Sequence, residues 1–408
     1  MVTNPYELNL RHLRALLAIQ EHGSVTSAAA AVFLSQPAVT HGIAKLERQF
    51  GSKLIERQTG GMRPTLVGEM VSDRVRSALV QLTAGARGIT RGFDHRARLI
   101  TMTQLRAFLA LADFSNYAAA AQSAGLSQTA VHRAVGDLEL LMARELVERR
   151  GRRVFLNTAG KKLARGARLA IGEISAILTE LGLDPQGTVI TVGALPLSRP
   201  FLVPEAMAML IKEHPTARFT IYEGGWGDLI EPLRDGAIDF AVGALLPDEI
   251  PDLSQIALAE DRLVIVAGSH HPLANRETHS IDELLAYPWI VDAVNSPLRT
   301  QWERFFEGRN LPACPIECGS VMIIGRLLTS GDFLTLLSPD QVALQIRSGL
   351  LARVGPPLAD SKRVVGVTTR LNWRPSRLQQ RFIELLRVVA ASRDSLDSDQ
   401  VKRVAGWI

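Results

Sequence analysis

The stretch Leu34–Phe50, LSQPAVTHGIAKLERQF, returns in altered form as LSQTAVHRAVGDLELLM at Leu126–Met142, an offset of 92 residues. The register holds outside this core. Leu13-Arg14-Ala15 returns as Leu105-Arg106-Ala107, Ala28-Ala29 as Ala120-Ala121, Glu56-Arg57 as Glu148-Arg149, and Gly68 as Gly160. An echo of this length at a fixed period is one structural unit used twice, and two copies are too few for a solenoid. The chain must therefore accommodate a tandem duplication of a small module.

Local physics says what the unit is. Ala38, Val39, Ile43 and Leu46 are spaced to share one face of a helix. Ser35 suits its N-cap, and Pro37 is tolerated in the first turn, where no N–H is needed. An alanine-rich helix precedes it, Val25 to Phe33, beginning after Gly23-Ser24. Helix, tight turn, helix is the unit that sets its second helix in a DNA major groove. Ser35, Gln36, Pro37, Thr40, His41 and Lys45 then lie on or beside the outward face, where hydroxyls, an amide and a cation suit base edges and phosphates. In the second copy these candidates are Ser127, Gln128, Thr129, His132 and Arg133. Residues 54–68, LIERQTGGMRPTLVG, read as a hairpin wing carrying Arg57 and Arg63. The second wing, LVERRGRRVFLNTAG, sets Arg149, Arg152 and Arg153 around Gly151, where cations can displace counterions from a phosphate backbone.

Leu34-Ser35-Gln36-Pro37-Ala38-Val39, followed by Leu46-Glu47, Leu54, Arg57 and Gly68, resembles the N-terminal winged helix-turn-helix of LysR-type transcriptional regulators. The second copy matches too, with Thr129 where the family usually has proline. Family members normally carry one such module, so this chain is an atypical member. The resemblance implies a cytoplasmic, homodimeric or homotetrameric regulator that binds promoter DNA and a small-molecule effector and can contact RNA polymerase. It also implies that the helix after a module pairs two subunits. Of the two such helices here, the second is favoured by its place beside the body.

The charge is divided between the halves. Residues 1–165 hold 23 lysines and arginines against 12 acids, a net +11, while the remaining 243 residues net −6. A basic head on an acidic body fits nucleic-acid binding at the front only. No apolar run of ~18 residues is present for a membrane span, and the N-terminus, broken by charges, does not resemble a signal peptide. Two cysteines in 408 residues fit a reducing compartment. Cys314 and Cys318 lack the partners of a zinc site, so no metal or cofactor is expected.

The expected domains are residues 1–68 and 101–160 for the two winged modules and 69–100 for a helix and linker. Residues 161–185 form a linker and dimerisation helix, 186–392 a bilobed effector domain and 393–408 a tail. Helical pattern runs from Leu66 to about Arg91 and from Thr158 to Gly182. Beyond the Leu183–Gly187 break, strands alternate with helices. The strands fall at 188–195, 217–224, 237–244 and 262–268, then 289–291, 315–318, 333–339 and 364–370. Residues 247–252 read as a loop, and helices as 199–213, 226–235, 281–286, 297–309, 321–330 and 375–390. Such a rhythm predicts a mostly parallel α/β sheet. The fold class is thus two tandem winged helix-turn-helix modules followed by a bilobed α/β domain that resembles periplasmic binding proteins.

In bilobed α/β folds a ligand binds between the lobes, at strand ends and helix N-termini. Leu197, Ser198 and Arg199 leave the first strand; Ser198 reads as a helix cap whose hydroxyl can also face a ligand. Arg199 either balances an acidic effector or pairs with a surface acid. Gly225 and Trp226 end the second strand, and the indole either lines the cleft or packs in the core. Ala293, Val294 and Asn295, with Ser320 and Met322, face it from the second lobe. An enzyme fused to a DNA-binding head is the rival reading. Against it, the body has no G-x-S-x-G, no G-x-x-x-x-G-K-[ST] and no H-E-x-x-H, and its histidines are adjacent only at His270-His271. A solute-binding module would need export.

Overall fold

A computed structural model describes residues 4–59, 61–87, 89, 98–151, 153–183, 189–294 and 296–405, with backbone alone at 393–405. The chain divides into two compact units, residues 1–189 with 231–238, and residues 190–230 with 239–408.

In the first unit the duplication is visible element by element. Copy one contains α1 (Leu10–His22), α2 (Val25–Val32), α3 (Gln36–Phe50), the hairpin β1 (Ile55–Gln58) and β2 (Gly61–Pro64), and α4 (Leu66–Ala86). Copy two contains α5 (Met102–Phe114), α6 (Tyr117–Ala124), α7 (Gln128–Met142), the hairpin β3 (Val147–Arg150) and β4 (Arg153–Leu156), and α8 (Thr158–Glu180). The long helix expected to reach Arg91 ends at Ala86, and most of the linker beyond it lies outside the described residues.

Equivalent residues perform equivalent work. Ser35 caps α3 through the Ala38 amide, and Ser127 caps α7 through the Ala130 amide. The Glu47 carboxylate accepts the Leu54 and Ile55 amides at 3.0 and 3.5 Å, tying the start of the wing to α3. Glu139 does the same for Leu146 and Val147 at 2.8 and 3.3 Å. Gly68 and Gly160 repeat because a Cβ there would stand 1.9 and 2.0 Å from the Leu54 and Leu146 carbonyl oxygens. One apolar cluster includes Leu13, Leu16 and Ile19 of α1, Val39 and Leu46 of α3, and residues of α4, α5 and α8. Ala38, expected on the buried stripe, is exposed; it sits in the first turn of α3, before the helix meets the core.

The helices following the modules pack on each other. Gly85, near the end of α4, meets Gly166 in the first half of α8, closely enough that a Cβ on Gly85 would be 2.7 Å from the Gly166 Cα. Arg74, in the first half of α4, reaches Glu173 at 3.0 Å and Glu180 at 2.5 Å in the second half of α8. The pair is therefore antiparallel. Within one chain the two linker helices are thus packed against each other.

The second unit holds two sheets. The first has the order β6-β5-β7-β14-β8, using β5 (Val189–Ala194), β6 (Arg218–Glu223), β7 (Phe240–Ala244), β8 (Leu253–Asp261) and β14 (Arg363–Arg370). Helices α9 (Leu202–Glu213) and α15 (Arg377–Ala405) belong with it, and Phe382, Leu385 and Leu386 of α15 pack against Val192, Phe240 and Val367; α10 (Trp226–Arg234) begins in this unit and ends in the first. The second sheet has the order β12-β9-β13, using β9 (Val264–Gly268), β12 (Thr335–Leu337) and β13 (Leu351–Val354). Beside it lie α11 (Ile281–Leu285), α12 (Pro297–Phe305), α13 (Val321–Leu328), α14 (Ala343–Arg347) and the short parallel pair β10 (Ile290–Val291) and β11 (Ile316–Glu317). Both faces of β9 are covered: Ile265 and Ala267 point into a Trp289/Trp302/Phe306 core, and Val264 and Val266 into a cluster with Ile324 and Leu328.

The sheets are mixed rather than mostly parallel. β5 and β7 are parallel, but β14 runs antiparallel to β7 and β8, and β9 is antiparallel to β12 and β13. Strands β8 and β13 and helix α14 are additions to the expected elements. Helix α9 starts at Leu202 rather than Arg199, because Arg199 precedes Pro200 and is biased away from helix. Helix α12 ends at Phe305 rather than Arg309, and α15 continues through 405, into what was expected to be a tail.

Candidate nucleic-acid interface and effector region

Helix α3 turns Val39, Gly42, Ile43, Leu46 and Phe50 inward, leaving Ser35, Gln36, Pro37, Thr40, His41 and Lys45 exposed. Gln36 donates to Thr26 Oγ1 at 2.7 Å, bridging α3 to the helix before it. Helix α7 buries Val131, Ala134, Val135, Leu138 and Met142 and exposes Ser127, Gln128, Thr129, His132 and Arg133. The His132 ring stacks on Tyr117 with centroids 3.5 Å apart, so this candidate is held by its own module.

Arg57 and Arg63 are exposed on opposite strands of the first wing, as are Arg149 and Arg153 on the second. None of these four, nor Arg133 or Lys45, forms an ion pair with an acid among the described residues, whereas Arg150 is held by Glu148 at 2.6 Å. Arg152 lies outside the described residues. Free cations on a helix face and a wing can approach phosphates without first breaking an internal bond.

In the second unit, Leu197 and Ser198 are buried. Ser198 is not the cap of α9: its Oγ lies 2.7 Å from the Val242 carbonyl and 3.1 Å from that of Leu195, and Phe201 stands at the cap. Arg199 donates to the Ala194 and Gly224 carbonyls at 2.9 and 3.1 Å and pairs with Glu223 at 3.4 Å, fastening the end of β5 to that of β6. The Trp226 indole N–H donates to the Ala244 carbonyl at 3.0 Å, fastening α10 to β7. The Gly225 amide donates to Asp228.

The other candidates lie on loops and a helix start of the second lobe. Val294 is 63% exposed and its amide donates to Glu317, and the Ala293 amide donates to Asp292. Met322 is 85% exposed, and Ser320 precedes α13 without using its hydroxyl as a cap. Asn295 lies outside the described residues.

Sequence reasoning missed Asp261. Its buried carboxylate accepts from Ser338 Oγ at 2.6 Å and from Arg363 at 2.5 Å, at the end of β8 where the chain leaves the first sheet for the second. Nothing in the run AEDRL marks it. His271 is structural: Nδ1 accepts the Leu273 amide at 3.0 Å, and burial lowers its pKa. Among the described residues no three or more His, Cys, Asp or Glu side chains are placed to hold a metal ion, and no helix is long and apolar enough to cross a membrane.

Comparison with known proteins gives this architecture its class. Residues 10–69 and again 102–161 match the bacterial regulatory helix-turn-helix of the lysR family, and residues 184–391 match the LysR substrate binding domain. The HTH-type transcriptional regulator GalR of Pseudomonas putida is 31% identical over 369 residues, 89% of this chain and 92% of that protein. PcaQ of Agrobacterium fabrum is 27% identical over 296 residues, 71% of this chain and 95% of that one. Among solved structures, ArgP from Mycobacterium tuberculosis has a TM-score of 0.57 at 19% identity, covering 70% of this chain and 96% of its own. Full-length LysG from Corynebacterium glutamicum, with bound effector Arg, has a TM-score of 0.52 at 19% identity, covering 71% and 97%. These two share the fold. The chain belongs to the LysR family: it is a transcriptional regulator, not an enzyme, with a duplicated helix-turn-helix and an effector-binding domain.

Proposed function

We propose that both winged modules of this regulator read operator DNA and that a small effector, held between the lobes of the second unit, alters that reading. The observation that carries the DNA half is the persistence of exposed, unpaired cations on both recognition faces and both wings, although Lys45 has become Asp137 and Arg48 has become Leu140 in the second copy. A spacer module would have no reason to keep Arg133, Arg149 and Arg153 free. Ser35 and Ser127 contribute by fixing the helix starts, since both are caps; Gln36, Thr40, His41 and Lys45, and Gln128, Thr129 and Arg133, supply the contacts.

For the effector, the proposed contacts are the Leu197–Arg199 turn, Gly225 and Trp226 on one side, and Ala293–Asn295, Ser320 and Met322 on the other. Ser198, Arg199 and Trp226 act chiefly by holding the strand ends in shape, because their polar groups already have protein partners. Ser320 offers a free hydroxyl at a helix start. The regulator works as a homo-oligomer on promoter DNA, in contact with RNA polymerase, in the cytoplasm.

The test is DNA affinity of the full-length protein against salt, with His41→Ala/Lys45→Ala and, separately, Arg133→Ala/Arg153→Ala. Removing one cation from a phosphate makes the log–log salt slope shallower by about 0.9. Each double variant should weaken binding, the first reducing the slope by about one unit through Lys45 and the second by about two through its two arginines. If the second variant changes neither quantity, copy two does not read DNA.

A further inference from the structure

Two sets of contacts between the modules fit a two-fold symmetry. A two-fold axis relating residue i to residue i+92 requires every contact between copies to have a mate. Arg106 of α5 lies over the Tyr6 ring, 5.6 Å from its centroid, just ahead of α1. Its mate is Arg14 of α1, which donates to the Arg98 carbonyl at 3.1 Å, just ahead of α5. Residues 14 and 106 are repeats of each other, as are 6 and 98. The linker helices obey the same rule. The repeats of Gly85 and Gly166 are Ile177 and Arg74. Arg74 does reach the face of α8 that carries Ile177, since its partners Glu173 and Glu180 flank that residue by one turn on either side. An antiparallel helix pair with these matched contacts fits a two-fold relation between α3 and α7.

The pairing also selects unlike helices. If two copies of α4 met in this geometry, Arg74 would face Gln81 instead of Glu173, and Gly85 would face Arg74. If two copies of α8 met, Gly166 would face Ile177, and Glu173 would have no arginine opposite it. The buried ion pairs and the glycine contact are available only to α4 against α8, which penalises the like pairings.

We propose that a single chain is a complete, dyad-related pair of DNA readers, and that its operator unit is an inverted repeat with two different half-sites, one for α3 and one for α7. Resting as it does on the reading of both modules as DNA binders, this adds their orientation and their unlike specificities. Dyad-related helices address half-sites about one helical turn, or a multiple, apart. The outward faces prescribe the asymmetry. At matched positions α3 carries Pro37, Thr40, His41 and Lys45, and α7 carries Thr129, His132, Arg133 and Asp137. Arg133 suits the O6 and N7 atoms of guanine, and Asp137 suits the cytosine amino group while repelling phosphate. Association of chains multiplies this unit without changing its internal asymmetry.

The test is selection of bound duplexes from a randomised pool by the full-length protein and two exchange variants. One gives α7 the face of α3 (Thr129→Pro, His132→Thr, Arg133→His, Asp137→Lys), and the reciprocal (Pro37→Thr, Thr40→His, His41→Arg, Lys45→Asp) guards against a misfolded module. The wild type should enrich an inverted repeat with unlike halves. Each exchange should convert one half into a copy of the other, with at least about a tenfold preference for the symmetric site. Two unlike elements that respond to the exchanges but lie as direct repeats, or at no fixed spacing, would overturn the dyad and leave both modules as readers. A wild-type site that is already symmetric, and unmoved by the α7 exchange, would overturn this inference together with the reading of copy two as a DNA binder.

Discussion

Beneath α3 the His12 ring fills the space that Gly42 leaves open; a Cβ on Gly42 would stand 2.8 Å from the ring. Beneath α7 the matching residues are Gln104 and Ala134, and Gln104 closes a capping box with Thr101 instead. Elsewhere the two modules agree closely: the same serine caps, the same glutamate clasp on the wing, the same glycine under the wing's return. The duplication has kept what holds a module together and has let change what a module shows to its neighbours and to DNA. The linker helices diverge most, with Arg74 in α4 opposed to Gly166 in the same place on α8.

The largest expected effect therefore comes from the position that breaks the likeness. Arg74 has a largely buried side chain and holds Glu173 and Glu180 together. Removing one partner of a buried ion pair costs about 3–5 kcal/mol, because the remaining charges stay buried without compensation. Arg74→Ala should lower head stability by about that much in urea unfolding followed by circular dichroism, at the lower end given that the two glutamates retain some solvent. Arg74→Ala with Glu173→Gln and Glu180→Gln should recover most of it. A cost under about 1 kcal/mol, the range of an exposed pair, would mean that the helices are held by their apolar face alone.

A smaller effect should be shared equally by the copies. Gly68→Ala and Gly160→Ala each drive a methyl group into a backbone carbonyl, with no flexible side chain to yield. Overpacking of this kind costs about 1–3 kcal/mol, and the rigid obstacle places both near the top of that range. Matching losses in thermal unfolding would show that the two wing junctions are built alike. Unequal losses would show that one wing can shift.

Much of this was legible in the chain itself because a repeat tests each residue twice. Gly68 and Gly160, Ser35 and Ser127, and the apolar faces of α3 and α7 stand out when the copies are aligned, and the family and fold follow from them. What could not be read was contact between distant elements. The run Thr158–Gly182 announces a helix but not that its partner is α4, since an apolar stripe does not specify which stripe it meets. The second unit was read less well for the same reason. Strand β14 pairs antiparallel with β7 and β8 after a separation of more than a hundred residues, so local alternation carries no trace of its direction. Ser198 was misread because a serine after a strand looks like a cap, whereas Pro200 delays the helix and leaves that hydroxyl bonded to carbonyls.

The smallest effect separates the modules by pH. Burial, then the nearby charges of Lys45 and His41, lowers the pKa of His12 below its ordinary value of 6.5. The folded state therefore takes up a proton less readily than the unfolded chain. Its contribution to stability is complete above pH 6.5 and is lost as the pH falls below that value, where the unfolded state binds the extra proton. Gln104, in the same place in copy two, does not titrate. Taking the protein from about pH 7.5 to about pH 5.5 should lower hydrogen-exchange protection, corrected for intrinsic rates, in α1 and α3 more than in α5 and α7. His12→Gln combined with Gly42→Ala, which gives copy one the pair found in copy two, should abolish the difference. If α3 still loosens in that variant on acidification, the pH sensitivity of copy one resides in another group.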